Sequence, residues 1–161
     1  MIAEYKLYQG AVLAELVDES KAPLQIDEFI EDGRLHSYVV NGSVGLHVKH
    51  STARLPPWQF SFTQANRKAL SRLTESLEHA FVVLTCWVDG IVALNHTEWA
   101  TLLGADLGVA GWIRATRRRR GQYTLSGSGT PLLSKKAHGL SSVLEVLAPI
   151  PPLPSRLQQT E

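Results

Sequence analysis

The chain has 161 residues, of which 44% are hydrophobic and 19% charged, with a formal net charge of +1. That length and balance suit one globular domain with a buried core and exclude a disordered chain. The lone cysteine, Cys86, excludes an intrachain disulfide and a zinc site built on several thiolates.

The opening MIAEYKLYQG lacks the basic-then-apolar order of a secretory signal, and no run approaches the ~18 apolar residues of a membrane span. A soluble, cytoplasmic protein is expected. Leu7, Ala11, Leu13, Ala14 and Val17, at spacings of three and four, predict a helix over residues 4–18 with these side chains as its apolar face. LQIDEFI at 24–30 suggests a strand and EDGR at 31–34 a turn. LHSYVV at 35–40 and VGLHVK at 44–49 read as strands joined by Asn41-Gly42, a dipeptide suited to a tight I′ turn because both residues tolerate positive φ.

WQFSF at 58–62 is a further strand, with Trp58, Phe60 and Phe62 on one face as core anchors. Thr63 is placed to cap a helix over 64–77, whose apolar face holds Ala65, Ala69, Leu70, Leu73 and Leu77. AFVVLTCWV and IVAL are strands joined at Asp89-Gly90, and Thr97 opens a short helix through Leu103. GWIRAT and QYTLSGS flank an arginine loop, and PLLSKKAHGLSSVLEVL ends in a short helix. The stretch 149–161, with Pro149, Pro151, Pro152 and Pro154, is a proline-rich tail. The expected fold class is α/β (α+β): a single domain over residues 1–148, with an N-terminal helix, an antiparallel meander, a crossover helix and further strands.

Between Val44, Leu46 and Val48 the strand carries His47 and Lys49, two residues apart and so on one face. Either they solvate the open face of an antiparallel sheet, or they are half of an active site. Element order and Lys49 together resemble the PD-(D/E)XK nuclease-like superfamily, whose core is a helix, a three-stranded meander, a crossover helix and a further strand. In that family an acid on one strand and an acid-x-lysine pair on the next bind magnesium, and the lysine orients or activates the attacking water. The resemblance implies Lys49 as that lysine, His47 in place of the second acid and Asn41 in place of the first. A carboxylate would come from Glu15 or Glu4 on the first helix, or from Asp27 or Glu31. It implies Mg²⁺ or Mn²⁺ and a metal-dependent phosphodiesterase acting on DNA or RNA. His47 and Asn41 depart from the pattern, since an amide adds no charge and an imidazole suits softer metals, which leaves a non-catalytic nucleic-acid-binding relative open.

Arg114, Arg117, Arg118, Arg119 and Arg120 fall within seven positions and offer a phosphate-binding patch, with Lys135 and Lys136 adding to it. Trp58, Trp112 and Tyr123 would supply stacking surfaces where exposed. The alternative is a solvated turn, or a cluster paired with the acidic first third. Ser51 has no nucleophile-elbow surroundings and points away from His50, which excludes a hydrolase built on it. His36 and His47 are placed to meet across the hairpin, as a metal pair or a plain cross-strand contact. PPLPSR at 151–156 fits a proline-recognition ligand. A protein-interaction or assembly subunit, or a homo-oligomer, using a sheet edge and the aromatic strand is the other reading.

Overall fold

The structure, a computed structural model, describes residues 1–29, 37–106 and 108–150. The chain runs α1 (Glu4–Glu19), β1 (Ile26–Phe29), β2 (Ser37–Val40), β3 (Val44–Ser51), β4 (Trp58–Phe62), α2 (Gln64–Ser76), β5 (His79–Cys86), β6 (Gly90–Leu94), α3 (His96–Leu103), β7 (Gly111–Thr116), β8 (Thr124–Gly127) and α4 (Ser141–Glu145). This is an α+β fold in one domain, with a five-stranded sheet ordered β1-β2-β3-β5-β6 and a three-stranded sheet ordered β4-β7-β8. β1, β2 and β3 form an antiparallel meander. β5 then lies parallel to β3, a pairing that needs a crossover, here β4 and α2.

Local chemistry sets most boundaries. Asn41 and Gly42 take φ of 52° and 70°, and the Ser43 N–H donates to the Val40 carbonyl at 3.2 Å to close the turn. Thr63 and Asn66 cap α2 reciprocally, side chain to backbone in both directions. Two expectations shift. α3 opens at His96 and not at Thr97, one residue earlier, because Asn95 caps it with Glu98. The β5–β6 turn is Trp87 to Asp89, with Trp87 at φ 47° and the Asp89 N–H donating to the Cys86 carbonyl at 2.9 Å. Gly90 already belongs to β6. A Cβ there would strike the Tyr123 hydroxyl and stand 2.8 Å from His138 Nδ1, so close approach and not turn geometry calls for glycine.

The buried face of α1 also differs from the predicted one. Gln9, Val12 and Leu16 face inward, while Leu7 and Val17 each remain 58% exposed. Apolar residues surround this helix on all sides, so spacing alone selects no stripe. Gln9 is taken inside because the Tyr38 hydroxyl donates to its Oε1 at 2.5 Å.

Two cores follow from the layers. On one side of the large sheet Val12 and Leu16 of α1 meet Val44, Leu46, Phe81 and Val83, with Val143 of α4 beside them. On the other side Phe62, Leu70, Val82, Leu84, Trp99 and Ile113 join α2 and α3 to the small sheet. β5 is buried on both faces, which is why its sequence is apolar without alternation. Trp58, Phe60 and Phe62 are buried as expected, but on a strand that has left the meander to pair with β7. The large sheet therefore has no open face at β3. The EDGR turn, Glu31, His36 and the PPLPSR segment lie outside the described residues. No helix among the described residues is long and apolar enough to cross a membrane.

Candidate nucleic-acid interface and the surroundings of Lys49

β3 sends its odd-numbered residues toward α2 and β4. A Cβ on Gly45 would stand 2.6 Å from Leu73, the His47 ring lies 6.5 Å from that of Phe62, and Lys49 reaches Asn66. His47 is only 2% exposed, with Nδ1 3.1 Å from Ser37 Oγ. The reading of His47 as part of a wet sheet face is thus corrected: the small sheet and α2 cover it. Lys49 Nζ donates to Asn66 Oδ1 at 3.3 Å and sits 5.3 Å from the Phe62 ring centre. Burial pushes its ammonium below the ordinary lysine value.

Of the other residues named by the nuclease resemblance, Asn41, Glu15 and Asp27 have their partners away from Lys49. Asn41 is a latch in the β2–β3 turn. Its Oδ1 accepts from the Gln25 N–H at 2.9 Å, and its Nδ2 donates to the Ala148 carbonyl at 3.0 Å. Glu15 belongs to α1, against the opposite face of the sheet, with Oε1 3.6 Å from His138 Nε2. Asp27 accepts from Gln25 Nε2 on β1. Among the described residues no group of three or more His, Cys, Asp or Glu side chains is placed to hold a metal ion. The groups beside Lys49, the Asn66 amide oxygen and the Phe62 ring, include no carboxylate and so do not fit Mg²⁺ or Mn²⁺, whose sites draw on one or two carboxylates.

The arginines divide into three roles. Arg117 is structural: Nε donates to Asp89 Oδ2 at 2.7 Å, NH2 to the Asp89 carbonyl at 2.6 Å, and the guanidinium lies 4.3 Å from the Tyr123 ring centre. Asp89 Oδ2 also accepts from the Tyr123 hydroxyl at 2.6 Å; burial first, then this bond, push the Tyr123 phenol up. Arg114 stands on the outer face of the small sheet, stacked at 5.2 Å on Trp112 and donating to Gln59 Oε1 at 3.0 Å. Gln59, Ser61, Thr116 and Thr124 leave that face exposed around it. Arg118, Arg119 and Arg120 are exposed in the turn leaving β7, where the Gly121 N–H donates to the Arg118 carbonyl and Arg120 takes φ 62°. None of the three has a carboxylate partner among the described residues. Of the other predicted contributors, Lys136 is held by Glu98 at 2.8 Å, Lys135 is exposed, and Trp58 and Tyr123 are buried.

Sequence reasoning passed over a second cluster, beside Glu15. Thr85, Tyr8, Asp89 and His138 border a cavity of about 610 Å³ between α1 and the β5–β6 turn. The signal was available in the buried polar Thr85 within an apolar run, but only the fold brings α1 and His138 to it. No protein-family model matches this chain, and comparison with curated proteins and with solved structures gives no significant match.

Proposed function

We propose that this is a nucleic-acid-binding protein with a nuclease-like core that does not itself cut, and that it holds single strands across the outer face of the β4-β7-β8 sheet. The observation that carries the reading is the turn with Arg118, Arg119 and Arg120 exposed and, among the described residues, free of carboxylate partners, continuing a strand that displays the Arg114–Trp112 stack. Guanidinium groups without internal partners release counterions when they meet phosphates, and an indole beside an arginine gives bases a stacking surface. What supports the nuclease-like part is the order of helix, antiparallel meander, crossover helix and a strand parallel to the third. What speaks for binding without cutting is that Lys49 turns to Asn66 of α2 while Glu15, a carboxylate the resemblance nominated, meets His138 on the α1 side of the sheet.

The test is fluorescence anisotropy of labelled oligo-dT and a matched RNA, with the triple variant Arg118→Ala/Arg119→Ala/Arg120→Ala alongside. The expected result is saturable binding that the variant loses, and no strand cleavage with or without Mg²⁺ or Mn²⁺. Binding that the variant keeps would move the contact elsewhere, and no binding to either polymer would favour a protein-interaction role.

A further inference from the structure

The predicted apolar stripe of α1 has an unexpected destination. Leu7 and Ala11, left out of the core, form one wall of the cavity, with Glu15 one turn further along. The opposite wall is Thr85 at the carboxyl end of β5, followed by Trp87 and Val88 of the β5–β6 turn. Thr85 faces α1 because Val83 and Phe81, two and four residues before it, do so. It is 2% exposed, and its hydroxyl has no hydrogen-bond partner among the described residues. A buried hydroxyl left in that state is destabilising, and a ligand group reaching it would offset the loss.

The remaining polar groups define what fits. His138 Nδ1 accepts from the Ile91 N–H at 2.9 Å, so in the neutral ring the proton sits on Nε2, 3.6 Å from Glu15 Oε1. Asp89 is already engaged by Arg117 and Tyr123. Among the described residues no lysine or arginine lines the cavity, the nearby Arg117 being held by Asp89. The open chemistry is therefore the Glu15 carboxylate, with Glu19 beside it, and the Thr85 hydroxyl, with Tyr8 also on the border, between apolar walls, a setting that disfavours anions and phosphate groups.

We infer that this cavity is a binding site for a small organic cation, an apolar or aromatic body bearing an amine or amidine, with Glu15 meeting the charge and Thr85 hydrogen-bonding the ligand. The site is separate from the arginine turn and independent of nucleic-acid binding. Its walls place the apolar body against Leu7 and Ala11 and against Trp87.

Phenethylamine, phenethyl alcohol and phenylacetate share one ring and differ in charge, so titrating each into the ¹⁵N-labelled full chain tests the proposal. Phenethylamine is expected to shift the amide signals of Thr85 and Ile91 saturably, and phenylacetate to leave them unmoved. Glu15→Gln should weaken amine binding about tenfold or more. Ala11→Trp, at an exposed helix position, fills the cavity while leaving Glu15 and Thr85 unsubstituted and should abolish binding in a chain that stays folded. Phenylacetate or the alcohol binding as tightly as the amine overturns the proposal. So does the absence of a saturable shift, or unchanged binding in Ala11→Trp.

Discussion

Lys49 Nζ and Asn66 Oδ1 lie 3.3 Å apart, so the lysine joins β3 to the capping box of α2, and among the described residues it has no carboxylate partner. Asn66 Oδ1 also accepts from the Thr63 N–H and hydroxyl, each at 3.0 Å. The ammonium adds one hydrogen bond to an oxygen that is already satisfied, and it does so from a largely desolvated position. Lys49→Met keeps the stem packed on Phe62 and removes the charge. Its stability in urea is expected to stay level or rise by up to about 1 kcal/mol. A loss of several kcal/mol would mean the ammonium has a stabilising partner beyond Asn66.

Arg117 and Arg118 are neighbours with different tasks, and alanine substitution should separate them. Arg117→Ala leaves Asp89 with only the Tyr123 hydroxyl and strips the cation from the Tyr123 ring, at an expected cost of about 2 kcal/mol. Arg118→Ala removes an exposed side chain and should change stability by less than about 0.5 kcal/mol. Equal effects in a denaturant titration would contradict this division.

Cys86 is fully buried, and burial, with Asp89 adding to it, pushes its thiol up to about 12. The nucleophile in alkylation is the thiolate, so native protein should resist iodoacetamide at neutral pH, and urea should release the reaction. Mass spectrometry of the two samples reads this directly; rapid native labelling would show that the second core opens at Cys86.

His50 stacks on Tyr8 at 4.4 Å with the rings 3° from parallel. Burial lowers its pKa below the ordinary 6.5, against the opposing pull of Glu4. The unfolded chain then binds a proton at a pH where the folded one does not, so stability falls as pH drops from about 6.5 toward the folded value. This component is fully present above the unfolded pKa and should disappear in His50→Phe, which keeps the stack. Thermal melts of both proteins across that window provide the comparison, and an identical pH slope would assign the titration to another group.

The features legible in the sequence were those decided by near neighbours. Asn41-Gly42 needed only its own backbone freedom, and Thr63 found its partner three residues away. Alternation alone marks Trp58, Phe60 and Phe62 as core. What alternation does not disclose is whether the polar face of a strand meets water or another layer, and His47 and Lys49 met another layer. The pairing of β4 with β7, which builds that layer, joins Phe60 to Ile113, far apart in sequence and without a local signal. The arginine run was conspicuous, yet which arginine is structural depends on Asp89, carried in by a different hairpin. Glu15 was nominated through a family resemblance, and the fold gives it different neighbours from the ones expected.

The central claim, that exposed arginines of the β7–β8 turn hold nucleic acid, is tested most directly by the salt dependence of oligo-dT affinity. Log K against log salt should be linear for the parent chain, and the Arg118→Ala/Arg119→Ala/Arg120→Ala variant should have a slope smaller by about 2, as expected for three phosphate contacts on a single strand. Parallel lines for the two proteins would contradict it.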